Sequence, residues 1–176
     1  MSNYKRFYNN SYKYIFVTIV TYNRNKILLQ NIEILRKSFI YAKTKYSFDI
    51  FSCVILKDHF HMIIKLEKNK DYSEIIRLIK YYFSLHININ TQPSNSKIRK
   101  REKGIWQRRF WEHTIRDEKD LYKHIDYIHY NSYKHYKIAP KDWEYSTFSK
   151  FVKNDFYDID WCNFNDIHQI NNLDFE

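Results

Sequence analysis

Tyr14 to Tyr22 reads Tyr-Ile-Phe-Val-Thr-Ile-Val-Thr-Tyr, an unbroken run of β-branched and aromatic residues. Such a run predicts a strand. Asn23 to Asn25 interrupt it with polar side chains. From Ile27 to about Lys45 the period changes. Ile32, Leu35, Phe39 and Ala42 recur at helical spacing. Phe48–Leu56 and His59–Leu66 are two further apolar runs joined only by Lys57-Asp58, which predicts a hairpin. Tyr72 to about Ile89 places Ile75, Ile76, Ile79, Phe83 and Ile87 on one face of a second helix. Thr91 to Gly104 is basic and poor in apolar residues, contains Pro93 and the single glycine, and reads as a mobile loop. Ile105–Ile115 reads as extended. Asp117 is placed to cap a third helix, Glu118 to about His135, with acidic Glu118 and Asp120 in its first turn.

The predicted order is strand, helix, strand, strand, helix, strand, helix. Its first six elements match a ferredoxin-like βαββαβ arrangement, an α+β fold with an antiparallel sheet. Helices on one face of such a sheet leave the other face available for a site. The last helix is an addition to that fold. Trp143, Tyr145, Phe148, Phe151 and Trp161 then form an aromatic tail expected to pack back on the domain. The 176 residues suit one domain, with a core of about 12–136 and a tail of 137–176.

Composition narrows the class. No apolar run approaches the roughly 20 residues that a membrane helix needs, and the first residues lack a signal-peptide pattern, so a cytoplasmic protein is expected. Cys53 and Cys162 are far apart and form no CxxC pair, which argues against a cysteine metal site. The net charge of +10 points to a polyanionic partner. An AT-rich coding bias accounts for part of the lysine excess, so arginine is the more informative cation. Arg99, Arg101, Arg108, Arg109 and Arg116 cluster in one stretch of the chain. Guanidinium groups bind phosphate in a bidentate manner that lysine does not match, so the expected partner is nucleic acid.

Two short patterns carry candidate chemistry. In a strand, His59 and His61 point to the same face, and two neutral imidazoles side by side can bind a divalent metal. Asp58 is a candidate hydrogen-bond partner for one ring. A lone His-x-His is also common by chance, and ordinary burial is its alternative. On the last helix, Leu121, Ile125 and Ile128 form a core stripe, with His124, Tyr127 and Asn131 on an adjoining one. Tyr127 and Asn131 are one turn apart, so a phenol and an amide oxygen can reach one spot. Among 17 tyrosines, Tyr122, Tyr130 and Tyr133 nearby read as packing residues.

These motifs resemble the REP-associated tyrosine transposases, within the wider HUH family of single-tyrosine transposases. The resemblance runs through Tyr14–Asn25, Leu56–Met62, Trp106–His113 with Ile115–Asp117, Tyr127–Asn131 and Trp143–Phe148. It implies a metal-dependent enzyme that cleaves and rejoins single-stranded or hairpin DNA, such as REP-like palindromic repeats, through a 5′-phosphotyrosine. Tyr127 would be the nucleophile, and His59, His61 and Asn131 would hold Mg²⁺ or Mn²⁺. Arg99, Arg101, Arg108, Arg109 and Arg116 would grip phosphates, and Trp106 or Trp111 would stack on an unpaired base, core packing being the alternative for both rings. The implied setting is the nucleoid, and the implied state is a monomer or a homodimer. The other reading is a domesticated, non-catalytic nucleic-acid-binding protein. A third is a nuclease that uses water as nucleophile. One departure stands out: Ser132-Tyr133 follows the helix asparagine where the family usually has Pro-Val and later a glycine.

Overall fold

The computed structural model describes residues 9, 11–67, 71–89, 95–99 and 103–162. Arg101 and the end of the tail lie outside these residues. Four strands form one antiparallel sheet: β1 (Tyr12–Val20), β2 (Asp49–Ile55), β3 (His59–Glu67) and β4 (Trp111–Thr114). Their order across the sheet is β2-β3-β1-β4, with every neighbouring pair antiparallel. That is the expected ferredoxin-like topology.

Helices α1 (Ile32–Lys43) and α2 (Ser73–His86) cover one face. They bury Leu35, Phe39, Ile76, Ile79 and Phe83 against Val17, Ile19, Phe60 and Met62. The second face does not stay open. Helix α4 (Glu118–Tyr136) lies over it and packs Leu121, Ile125, Tyr127 and Ile128 against Phe16, Val54 and Ile63. Alternation along β1 and β3 supplies both cores at once. No helix of the described residues is long and apolar enough to cross a membrane.

Two sequence expectations need correction. The polar stretch after α2 is not all loop, because Asn95–Arg99 form a short helix, α3. The extended segment before α4 is mostly not strand. Only Trp111–Thr114 pair along β1, while Trp106 makes an isolated bridge to Thr21. Gly104 sits there with φ of 70°, a conformation that a β-carbon disfavours.

The aromatic tail packs back as expected, and it also pairs with the outer edge of β2. Ile55 N–H donates to Tyr145 O at 2.8 Å, and Thr147 N–H donates to Cys53 O at 2.9 Å. The indole of Trp143 donates to Ile55 O at 3.1 Å. An otherwise exposed sheet edge is thereby covered. A bulge between Ile50 and Ser52 turns Phe51 towards this layer, where its ring meets Tyr14 and Phe151.

Helix α4 has firm ends. The Asp117 carboxylate accepts from Asp120 N–H at 2.8 Å, and Lys137 closes the helix in the left-handed conformation. The missing Pro-Val is thus accommodated by a helix that continues through Tyr136. Midway along α4, His129 is fully buried between the sheet and the tail. Its Nε2 is 2.9 Å from Thr147 Oγ1, and Tyr157 hydroxyl, 3.4 Å from Nδ1, donates onward to Asp126.

Burial pushes the His129 imidazole down to about 3. A depressed folded-state value means that the unfolded chain takes up the proton first, below about pH 6.5. His129 therefore contributes full stability above that pH and loses it as pH falls towards 3. Urea midpoints should drop between pH 7 and pH 5 by the equivalent of about 2 kcal/mol. His129→Asn, less stable throughout, should show a smaller drop.

Candidate active site

The register of β1 and β3 sets the histidines. His61 lies opposite Thr18 and His59 opposite Val20, and both rings project to the α4 face. Each ring is held through Nδ1. His59 Nδ1 donates to Asp58 Oδ1 at 2.7 Å, the partner expected from sequence. His61 Nδ1 shares a hydrogen bond of 2.8 Å with Thr18 Oγ1. The two rings stand nearly perpendicular, with centroids 5.0 Å apart. Fixing Nδ1 in this way aims Nε2 as the available ligand atom. Burial alone would raise the Asp58 carboxyl. The hydrogen bond and charge of His59, then the Arg24 guanidinium at 3.5 Å, hold it below its ordinary value.

Helix α4 carries the other two candidates, and its Tyr127 meets this pair. The Tyr127 ring is fully buried, edge-on to His61 with centroids 5.3 Å apart. Asn131 Nδ2 donates to Tyr127 O at 2.6 Å, which locks the amide plane against its own helix. Asn131 Oδ1, His59 Nε2 and His61 Nε2 are buried and make no hydrogen bond among the described residues. Buried polar atoms are almost always paired. Imidazole nitrogens and an amide oxygen are ligand types that a divalent cation takes. Phe16 ties the arrangement together, with its ring against His61, His124 and Tyr127.

Several site residues were not legible in the sequence. Lys134 Nζ lies 3.4 Å from the Tyr127 hydroxyl and 5.1 Å from its ring centroid. His135 places its ring 5.0 Å from that of His59. The i, i+7 spacing of Tyr127 and Lys134 was a usable signal.

A second cluster stands at the start of α4. His113 from β4, Asp120 and His124 bring three ligand-type atoms within 4.8 Å of one another. Asp120 is already occupied there. It accepts from His113 Nε2 at 2.8 Å and from Arg116 N–H at 3.0 Å, while its own carbonyl accepts from His124 Nδ1 at 2.8 Å. Burial opposes ionisation of Asp120, and the His113 and Arg116 bonds with the charges of both histidines outweigh it. Burial, above all, depresses His124. The cluster clamps β4 to α4 one turn before Tyr127.

The DNA-contact candidates separate. Arg99, Arg108, Arg109 and Arg116 are exposed. Trp111 is 40% exposed and meets Phe16 edge-on at 5.5 Å, beside the histidine face. Trp106 follows the core-packing alternative. Its indole packs on Phe60 and Phe83 on the opposite face and donates to Lys80 O, so it is a core side chain.

Comparison with known proteins shows the family. Residues 7–131 match the family of IS200-like transposases. A Haemophilus influenzae protein assigned to the REP-associated tyrosine transposases is 42% identical over 165 residues, covering 92% of this chain and 93% of that one. The Escherichia coli REP-associated tyrosine transposase is 35% identical over 164 residues, 92% of each chain. A solved structure of a REP-associated tyrosine transposase bound to a REP hairpin superposes with a TM-score of 0.70 at 34% identity, over 93% of this chain and 92% of that one. The chain therefore belongs to the IS200-like transposases, in their REP-associated tyrosine branch, whose reaction is DNA strand cleavage and transfer.

Asp120→Ala removes an acceptor shared by a strand and a helix. Its cost should be about 1–3 kcal/mol in urea denaturation, as expected when hydrogen bonds to a charged, part-buried group are lost.

Proposed function

We propose that this transposase is a metal-dependent enzyme that nicks and rejoins single-stranded DNA at hairpin-associated sites, with Tyr127 as nucleophile. The observation that carries the reading is the contact of the buried Tyr127 ring with His61, with Asn131 buried one turn further along α4. His59, His61 and Asn131 would hold Mg²⁺ or Mn²⁺. Such a cation, when bound, withdraws charge from the phosphate oxygens of the scissile group.

The Tyr127 oxygen attacks phosphorus, and the bond from phosphorus to the 3′ oxygen breaks. The products are a 5′-phosphotyrosine on the protein and a DNA strand ending in a 3′-hydroxyl. The phenol loses its proton and the departing 3′ oxygen gains one. An ordinary tyrosine ionises near pH 10. The Lys134 ammonium beside the hydroxyl favours the phenolate that attacks and leaves. Rejoining is the reverse attack by a 3′-hydroxyl, so the ester preserves the bond and no nucleotide triphosphate is consumed.

The substrate reading rests on the solved relative, which is bound to a REP hairpin. Arg99, Arg108, Arg109 and Arg116 would contact phosphates, and Trp111 would stack on an unpaired base as the strand approaches His61. Arg101 has the same assignment from sequence and lies outside the described residues. The protein would act in the cytoplasm on nucleoid DNA.

Incubation with a hairpin oligonucleotide and Mn²⁺ should give a covalent protein–DNA adduct on a denaturing gel. Tyr127→Phe should abolish it and His59→Ala should reduce it by orders of magnitude. Persistence of the adduct in Tyr127→Phe would overturn the nucleophile, and cleavage without attached protein would point to water instead. Asp58→Asn should raise the Mn²⁺ concentration needed for half-maximal adduct by about 10- to 100-fold, because it loosens the His59 ring rather than removing a ligand.

A further inference from the structure

A cavity of about 360 Å³ lies on the sheet face opposite the histidines, between α2 and residues 103–108. Its walls combine two chemistries. Tyr81 and Leu85, one turn apart on α2, are 53% and 51% exposed. Around them stand Arg77, Lys80, Lys103 and Arg108, with no acidic side chain among the described residues that line the cavity.

The cavity is built rather than incidental. Lys80 Nζ donates across it to Gln107 O at 2.7 Å, and Lys103 Nζ donates to Ser84 O at 3.0 Å. These bonds tie α2 to the 103–108 segment through carbonyl oxygens, which orient the ammonium groups. Arg77 also binds Glu74 at 2.7 Å. The Trp106 indole forms the inner wall and is fixed by its bond to Lys80 O at 3.2 Å.

We propose that this cavity is a subsite for one unpaired nucleotide of the DNA strand, its base on Tyr81 and Leu85 and its phosphate among Lys80, Lys103 and Arg108. An aromatic wall ringed by cations matches a nucleotide, which carries a flat apolar face and a charge at opposite ends. The volume suits a single base with its sugar. A paired stem cannot place a base there, because its bases are stacked on one another and present only their edges, within the grooves.

Position supports the same occupant. Gln107 N–H donates to Val20 O at 2.9 Å, and Val20 lies opposite His59 in the sheet. The cavity and the histidine pair therefore share one end of β1, on opposite faces. A strand leaving the active site around this edge meets the 103–108 segment next. The subsite rests on the reading of the protein as a single-strand transposase and would help select which phosphate reaches Tyr127.

The test is binding without cleavage. A hairpin oligonucleotide with a single-stranded flank carries 5-iodouracil at one position at a time and is irradiated with the full chain in metal-free buffer. One flank position should crosslink within the peptides that hold Tyr81 or residues 103–108. Tyr81→Ala, an exposed position, should remove that crosslink and weaken binding of the flanked hairpin by about 10-fold, with the blunt hairpin unchanged. An effect under twofold, equal losses for both DNAs, or crosslinks confined to other peptides would overturn the subsite. A crosslink retained where wild-type protein forms no adduct with Mn²⁺ supports the subsite and removes only the catalytic reading. An adduct formed with no crosslink in these peptides removes only the subsite.

Discussion

The register between β1 and β3 is the constraint on which the site depends. Thr18 opposite His61 fixes which face each residue of both strands presents. A slip by one residue would send both histidines into the α1–α2 core and bring Phe60 and Met62 out beneath α4. The register is secured from both sides. Val17, Ile19, Phe60 and Met62 are buried in one core and Phe16 and Ile63 in the other. The chemistry is thus held in place by ordinary hydrophobic burial on the face it does not use.

Helix α4 shows how a polar stripe can sit against a sheet. His124, His129, Asn131 and Ser132 are all buried. Burying such groups is costly unless they find partners. Most do: His124 bonds the carbonyl of Asp120, His129 lies against Thr147, and Asn131 bonds the carbonyl of Tyr127. The partners lie one turn back on the same helix or on the tail. That explains why a tail folded against β2 matters to a site it does not enter. Thr147 reaches both Cys53 and His129, so it joins the edge strand to the middle of the helix.

The sequence made local features readable and left distant ones obscure. Apolar periodicity placed β1, β2, β3, α1, α2 and α4 close to their observed limits, because each buries a face along most of its length. His59, His61, Tyr127 and Asn131 were found from spacing, and family resemblance assigned their roles. For Trp106 the sequence left base stacking and core packing open, because its aromatic-basic neighbourhood suits both. Only the packing of Phe60 and Phe83 shows that its ring turns inward. The His113–Asp120 bond and the tail on β2 are encounters between side chains and segments whose orientations no periodicity specifies.

The left-handed close of α4 belongs to a wider pattern. Asn23, Arg24, Lys137, Asp155 and Cys162 all have φ between 50° and 78°, whereas glycine takes such a conformation only at Gly104. A residue with a β-carbon gives up about 1 kcal/mol there, less for asparagine and aspartate. The chain thus turns its corners on side chains, at points where the backbone gains least from remaining closed. Two of these corners, Asn23 and Lys137, close the ends of β1 and of α4, the two elements that supply Phe16 and Tyr127 to the site.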